Sequence, residues 1–180
     1  MRKDLIKKIK IPEGTEIKVD GNIVEVEGKE GKSTREFKIK KIKLEKKDDE
    51  IILSSKQATK KEKKIMNSVA AHIKNMIKGT ENKFVYKLKI CYSHFPMTIE
   101  TKENEITIKN FLGEKIPRKS KVIEGVKVDV DRDVVEISSK DREAAGQTAA
   151  NLEKATWIRM RDRRIFQDGI FITSKPGRDE

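Results

Sequence analysis

Cysteine is nearly missing from this chain of 180 residues: Cys91 is the only one. An intrachain disulfide and a cysteine-built zinc site are therefore excluded. Histidine is almost as scarce, with His72 and His94 alone, which argues against a histidine-rich metal cage. No segment stays apolar over the roughly 18–20 residues that a membrane-crossing helix needs, and no basic helix carries the broad aromatic face of one lying on a bilayer. The opening residues, Met1-Arg2-Lys3-Asp4-Leu5, lack the apolar run of a signal peptide. The cytoplasm is the expected location, with no membrane partner. Hydrophobic residues are thin as well, 35% against 40% charged. Such a chain has a lean core, and two half-size domains fit it better than one thick one.

Positive charge is what the chain has in excess. Forty-two Lys+Arg face 30 Asp+Glu, for a formal net charge of +12. That balance favours a polyanionic partner, most commonly nucleic acid. The two cations are segregated: lysine dominates residues 1–90, while eight of the ten arginines lie between Arg118 and Arg178. Lysine is a flexible point charge, whereas arginine is a planar fork that grips phosphate in two places and stacks on bases. The C-terminal half is the expected docking half.

The chain also repeats itself. Ser54-Ser55-Lys56 returns as Ser138-Ser139-Lys140, 84 positions later. At that offset Ile42, Leu44, Ile51 and Leu53 match Val126, Val128, Val135 and Ile137, and Pro12 matches Pro96. With two residues deleted, Ile17, Val24 and Val26 match Ile99, Ile106 and Ile108. Each copy then enters a helix with an alanine pair, Ala70-Ala71 or Ala149-Ala150. An ordered set of matches marks an internal repeat. The predicted fold class is α+β: two tandem related domains, 1–79 and 80–180, each a small, mostly antiparallel sheet covered by one helix.

Within the first copy, Ile17/Val19 and Val24/Val26 alternate around Asp20-Gly21-Asn22, a hairpin signal. Further strands are predicted at Phe37/Ile39, Ile42/Leu44 and Ile51/Leu53. Thr59-Lys60-Lys61-Glu62 reads as a capping box, ahead of a helix with Ile65, Val69, Ile73 and Ile77 on one face. Gly79 is its predicted stop, and residues 79–83 read as a linker. The second copy opens on a run with Tyr86, Leu88, Ile90 and Tyr92 on one face, and continues through Ile106/Ile108, Val126/Val128/Val130 and Val135/Ile137. Its helix starts near Asp141 and presents Ala145, Ala149, Leu152 and Thr156 together. Gly146 inside that helix costs about 1 kcal/mol against alanine. A close approach is expected there, by another backbone or through tight helix-on-sheet packing.

Three local patterns imitate chemistry. Gly31-Lys32-Ser33 resembles the end of a phosphate-binding loop, but Val26 stands where the first glycine belongs and Thr34-Arg35-Glu36-Phe37 reads as strand. Gly28-Lys29-Glu30-Gly31 has the spacing of a KH-domain clamp, yet it joins strands and sets an acid beside the phosphate. His94-Phe95-Pro96 has no nucleophile in an elbow beside it, so a structural role is expected. No acid pair is placed for acid–base work. Neither an enzyme nor a cofactor nor a small-molecule substrate is expected. The alternative of a different class, an RNA-acting enzyme or a translation-factor-like protein, needs a nucleotide or methyl-donor site that no motif supplies.

One stretch gathers the arginines. Gly146-Gln147-Thr148-Ala149-Ala150-Asn151-Leu152 runs on to Arg159-Met160-Arg161-Asp162-Arg163-Arg164-Ile165-Phe166-Gln167-Asp168-Gly169-Ile170. Four arginines in six positions on a short connector point to phosphate contact. The plainer alternative is a solvated loop partly neutralised by Asp162 and Asp168. In extended form, Arg159, Arg161 and Arg163 would share one side. Trp157 and Phe166 flank the run and are expected to anchor it to the core, with base stacking the alternative.

These residues also carry a resemblance. Tyr92-Ser93-His94-Phe95-Pro96-Met97, Gly146-Gln147-Thr148-Ala149-Ala150-Asn151 and Arg161-Asp162-Arg163-Arg164-Ile165-Phe166-Gln167-Asp168-Gly169-Ile170, with the doubled layout, resemble the L-six family of large-subunit ribosomal proteins, in its archaeal and eukaryotic branch, over essentially the whole chain. The resemblance implies a non-catalytic protein that binds large-subunit (23S-type) rRNA beside the sarcin–ricin, factor-binding region and stabilises its tertiary structure, mainly through the C-terminal domain. Implied partners are that rRNA, neighbouring ribosomal proteins and, nearby on the ribosome, translational GTPases. The implied rRNA-binding residues are Arg159, Arg161, Arg163, Arg164 and the Gln167-Asp168-Gly169 turn, with Gln147, Lys154 and Lys175 on the adjoining elements. Two positions depart from the family pattern: Trp157, where a polar or basic residue is expected, and Phe171, where tyrosine is common.

Overall fold

The computed structural model describes residues 3–47, 50–102 and 104–177; Arg178, the last of the eight clustered arginines, lies outside them. Two compact units divide the chain, Met1–Lys83 and Phe84–Glu180.

The first unit runs β1 (Lys3–Lys10), β2 (Glu16–Asp20), β3 (Ile23–Gly28), β4 (Gly31–Glu36), β5 (Lys43–Lys47), β6 (Glu50–Ala58) and α1 (Lys60–Glu81). The predicted hairpin is present: Asp20 pairs with Ile23 across Gly21-Asn22, and Gly21 takes a positive φ of 56°. Thr59 caps α1 as expected, its hydroxyl accepting from Lys61 N–H while Glu62 accepts from Thr59 N–H. The expected single sheet is corrected, because the strands form two three-stranded antiparallel sheets, β1-β6-β5 and β2-β3-β4. Residues 37–42 separate them. Phe37, Ile39 and Ile42 are buried without being in strands, and Ile39 N–H bonds back to Phe37 O at 2.8 Å. Their alternation is a tight crossing segment plugged into the core, not the strand predicted at Phe37/Ile39.

Helix α1 covers β1, β3, β4 and β6. Its buried stripe is Met66, Val69, Ala70, Ile73, Met76 and Ile77, whereas Ile65 is left 37% exposed. Gly79 does not stop it. The last turn is held by tertiary contact: Thr80 O accepts from Glu30 N–H at 2.9 Å, and a Cβ on Gly28 would lie 2.9 Å from that same carbonyl oxygen. The Gly28–Gly31 tip is therefore a seat for the end of α1, and residues 79–81 belong to the helix, not to a linker.

The second unit runs β7 (Phe84–Cys91), β8 (Thr98–Lys102), β9 (Glu105–Lys109), a 3-10 turn (Phe111–Gly113), β10 (Arg118–Lys121), β11 (Lys127–Asp131), β12 (Val134–Ser139), α2 (Arg142–Ala155) and β13 (Gly169–Ser174). Its sheets are β10-β9-β8 and β11-β12-β7-β13. The first three strands of the larger sheet repeat β5-β6-β1 of the first unit, with β5 and β11 both antiparallel partners at the 84-residue offset. The similarity of the units is consistent with an internal duplication. What the second unit adds is β13, paired antiparallel along the far side of β7. The matching side of β1 carries no strand among the described residues, and exposed Lys3, Lys8 and Lys10 blunt that edge.

Asp141 caps α2, accepting from Glu143 N–H at 2.9 Å, and the helix buries Ala145, Thr148, Ala149 and Leu152. The close approach at Gly146 comes from a side chain on the sheet: a Cβ there would sit 2.9 Å from Tyr86 Oη and 3.2 Å from its Cζ. Tyr86 is buried on β7 and has little room to yield. Gly146→Ala should therefore destabilise the protein by about 1–2 kcal/mol, the cost of overpacking outweighing the gain in helix propensity. Urea unfolding measures it, and the loss should shrink when Tyr86→Phe removes the nearer atom.

Candidate nucleic-acid interface

The connector, residues 156–168, joins α2 to β13, and its two ends are tied together. Thr156 is buried; its hydroxyl donates to Glu153 O at 3.1 Å and accepts from Ile170 N–H at 3.0 Å. Arg118 on β10 braces the same neck. Its Nη1 donates to Ala155 O at 2.9 Å and Trp157 O at 3.1 Å, its Nε and Nη2 pair with Glu114, and its guanidinium lies 4.3 Å from the Phe111 ring centroid. Carbonyls at a helix C-terminus lack intrahelical donors, and a cation there complements the dipole. Nothing local in the sequence marks Arg118. Its only signal is an arginine at a strand start in a chain that elsewhere prefers lysine. Arg118→Ala should cost about 1.5–3 kcal/mol, read as a lower melting temperature together with altered Trp157 emission.

Between its ends the connector is folded, which corrects the extended alternation considered for Arg159, Arg161 and Arg163. Met160 takes φ 58°, and Asp162 turns the chain again. Its carboxylate accepts from Arg164 N–H at 2.9 Å, and its carbonyl accepts from Ile165 and Phe166 N–H at 3.2 and 3.0 Å. All four arginines remain exposed. Arg161 lies over the Phe166 ring at 4.7 Å, Phe166 stacks on His94 at 4.8 Å, and His94 Nδ1 meets Asp168 Oδ1 at 2.9 Å. Arg163 lies 5.6 Å from the Trp157 ring, and Arg164 is 92% exposed with Asp162 3.6 Å away. Phe166 thus anchors the connector as expected, while Trp157 stays half exposed.

At the base of that stack Asp168 is 1% exposed and accepts three hydrogen bonds: from Ser93 Oγ at 2.7 Å, His94 N–H at 3.2 Å and His94 Nδ1. Burial pushes its carboxyl up, but the bonds from His94 and Ser93 outweigh burial and hold it at about 2. Serine, histidine and aspartate together do not make a hydrolase here. In a working triad the aspartate and the nucleophile occupy opposite ring nitrogens, whereas Ser93 and Asp168 both face Nδ1, and Ser93 Oγ donates to the carboxylate. The role expected of His94, structural and not catalytic, agrees with this geometry. Ser93 and His94 are not legible in the sequence as partners of the connector, because their spacing from Asp168, 74–75 residues, leaves no local pattern.

The implied site residues divide by position. Arg159, Arg161, Arg163, Arg164 and Gln167 are exposed on the connector, with Gln167 Nε2 donating to Arg164 O at 3.3 Å. Asp168 and Gly169 are buried, and a Cβ at Gly169 would lie 3.1 Å from Phe171 Cζ; they hold the turn and do not face outward. Lys154 is exposed in the last turn of α2, and Gln147 lies two turns earlier, bonded to Asn151 at 2.8 Å. Lys175 follows β13 at the end away from the connector. Beside the connector lies a concavity of about 590 Å³, walled by Tyr92, Trp157, Phe166 and Phe171. Among the described residues no cluster of His, Cys, Asp and Glu is arranged to hold a metal. The chemistry on offer is a set of guanidinium donors on a braced loop.

Comparison with known proteins places the chain among relatives. The family described as Ribosomal protein L6 matches residues 11–83 and again residues 95–169. The large ribosomal subunit protein uL6 of Methanobrevibacter smithii is 42% identical over 167 residues, covering 93% of this chain and 94% of the relative. Its counterpart from Methanothrix thermoacetophila is 38% identical over 175 residues, 97% of this chain and 99% of the relative.

Proposed function

This chain belongs to the ribosomal protein L6 family, and from that membership we propose that it is a structural constituent of the large ribosomal subunit, binding 23S-type rRNA and neighbouring ribosomal proteins. It performs no catalysis. The connector is its main RNA clasp: Arg159, Arg161, Arg163 and Arg164 bridge phosphates of folded RNA segments, and Gln167 joins them at the rim. Asp168 and Gly169 serve from within by keeping the clasp in shape. Lys154 and Gln147 extend the contact along α2, and Lys175 reaches RNA past β13. The bound region is the sarcin–ricin, factor-binding side of the subunit, which brings translational GTPases close without direct partnership. The protein accordingly resides on cytoplasmic ribosomes, with no membrane partner.

A single observation carries this reading. The exposed arginines are not on a loose tail: they are mounted on a loop closed at its neck by Thr156 and Arg118 and floored by buried Asp168. A preformed cationic surface loses little side-chain and loop entropy on docking, and folded RNA is read largely through shape, phosphates and 2′-hydroxyls. The test is co-sedimentation with large-subunit particles depleted of their own copy. The chain should pellet with them at a one-to-one limit, and excess ATP, GTP or S-adenosylmethionine should not displace it. A chain that stays in the supernatant would overturn the proposal.

A further inference from the structure

The concavity beside the connector is built differently from a phosphate site. Tyr92, Trp157 and Phe171 are each 42–50% exposed along its walls, and Phe166 completes them. A half-exposed aromatic side chain costs solvation, and a cluster of three on one concave surface marks a place that is covered in use. Its volume, about 590 Å³, falls within the roughly 300–1,000 Å³ of small-molecule sites and leaves ample room for one base. Both charges line it: Arg163 is exposed, whereas Glu153 is half-buried, its Oε1 accepting from Ile172 N–H at 3.4 Å, and Arg159, Arg161 and Arg164 are not among the lining residues. An anion inside repels phosphate but accepts from the N–H groups of a base edge. Aromatic walls suit a π-face, which every base has.

We propose that this concavity receives a single unstacked nucleobase from the RNA on which the connector docks. The arginines take the flanking phosphates, the aromatic walls take the base, and Glu153 favours a base whose edge presents N–H donors. The proposal rests on the reading of the connector as an RNA clasp and adds to it a contact that is apolar and independent of salt. Such stacking is lost with a roughly five- to hundredfold drop in affinity when the aromatic is removed.

The protein carries its own probes, because its one tryptophan and its one cysteine, Trp157 and Cys91, both line the concavity. Titrating the full chain with large-subunit rRNA, while following Trp157 emission and the rate of Cys91 alkylation by iodoacetamide, reads occupancy from two sides. The expected result is quenched emission and protected Cys91 over the same RNA range in which filter binding shows complex. Phe171→Ala, and wild type pre-blocked at Cys91 with N-ethylmaleimide, should each bind roughly tenfold more weakly with an unchanged salt slope. If RNA binds with its full arginine-dependent slope while both probes stay unchanged, the base pocket is wrong and the clasp survives; a pocket filled instead by a neighbouring protein gives that result. If RNA does not bind, both readings fall.

Discussion

Replacing Arg161, Arg163 and Arg164 together with alanine should weaken binding to large-subunit rRNA by about two to three orders of magnitude at moderate salt. Each guanidinium–phosphate contact here is solvent-exposed and screened, so it contributes about 1–1.5 kcal/mol, below the roughly 1.5–3 kcal/mol of a buried hydrogen bond to a charged group. The slope of log affinity against log salt should become shallower by about three, roughly one per lost phosphate contact. The fold should suffer little, because the three side chains are exposed, the Trp157 ring and the Asp162 carboxylate beside them are exposed too, and the half-buried Phe166 keeps its stack on His94 without Arg161. Surface substitutions of that kind move stability by about 0.5 kcal/mol or less. A melting curve close to wild type alongside the binding loss separates docking from folding.

The second large effect belongs to Asp168. Its carboxylate receives three donors, all from Ser93 and His94. Asp168→Ala leaves those donors unmatched beneath the connector and opens a void, and should cost about 2–4 kcal/mol. Asp168→Asn is also harmful despite its shape, because its amide group turns donors toward donors. The loosened connector should be cut faster by trypsin at Arg159–Arg164. The wild-type protein carries the acid counterpart. Since the folded carboxyl titrates at about 2 and its ordinary value is 3.8, its stabilisation is complete above pH 3.8 and is lost as pH falls toward 2. This contribution is about 2 kcal/mol. Unfolding free energy measured between pH 5 and pH 2 should fall in wild type more steeply than in Asp168→Ala, which has no such carboxyl to protonate.

The parts of the fold that can be read from the sequence are those set by local patterns. The Asp20-Gly21-Asn22 hairpin, the Thr59 cap, the Asp141 start and the 84-residue repeat each depend on residues a few positions apart or on direct self-similarity. The remainder depends on distant contacts. Phe37 and Ile39 alternate like a strand but have no ladder partner, so they form a buried crossing segment. Gly79 looks like a helix stop, and Thr80 packed against Gly28 carries the helix past it. Strand β1, rich in lysine, has no alternation clear enough to announce itself, and its pairing with β6 supplies the missing specification.

The interface divides in the same way. The arginines are legible because they are contiguous. The machinery that shapes them is not: Arg118 lies 37–39 residues from the carbonyls it caps, and Ser93 and His94 lie 74–75 from Asp168. Asp168 itself, expected in a turn facing RNA, is buried. The repeat sharpens the meaning of the connector. Strands β5-β6-β1 and β11-β12-β7 correspond one for one, whereas the connector and β13 extend the chain beyond α2 and have no counterpart after α1. The proposed clasp lies where the copies differ.

The added connector, and not the lysine-rich face of α1, is the proposed RNA clasp. Hydroxyl-radical footprinting of large-subunit rRNA compares them directly, using wild type, the triple-arginine variant and a Lys60/Lys63/Lys64→Ala variant of α1. Protection in the sarcin–ricin region is expected with wild type and with the lysine variant, and its loss with the arginine variant. Protection that survives the arginine changes and disappears with the lysine changes would contradict it.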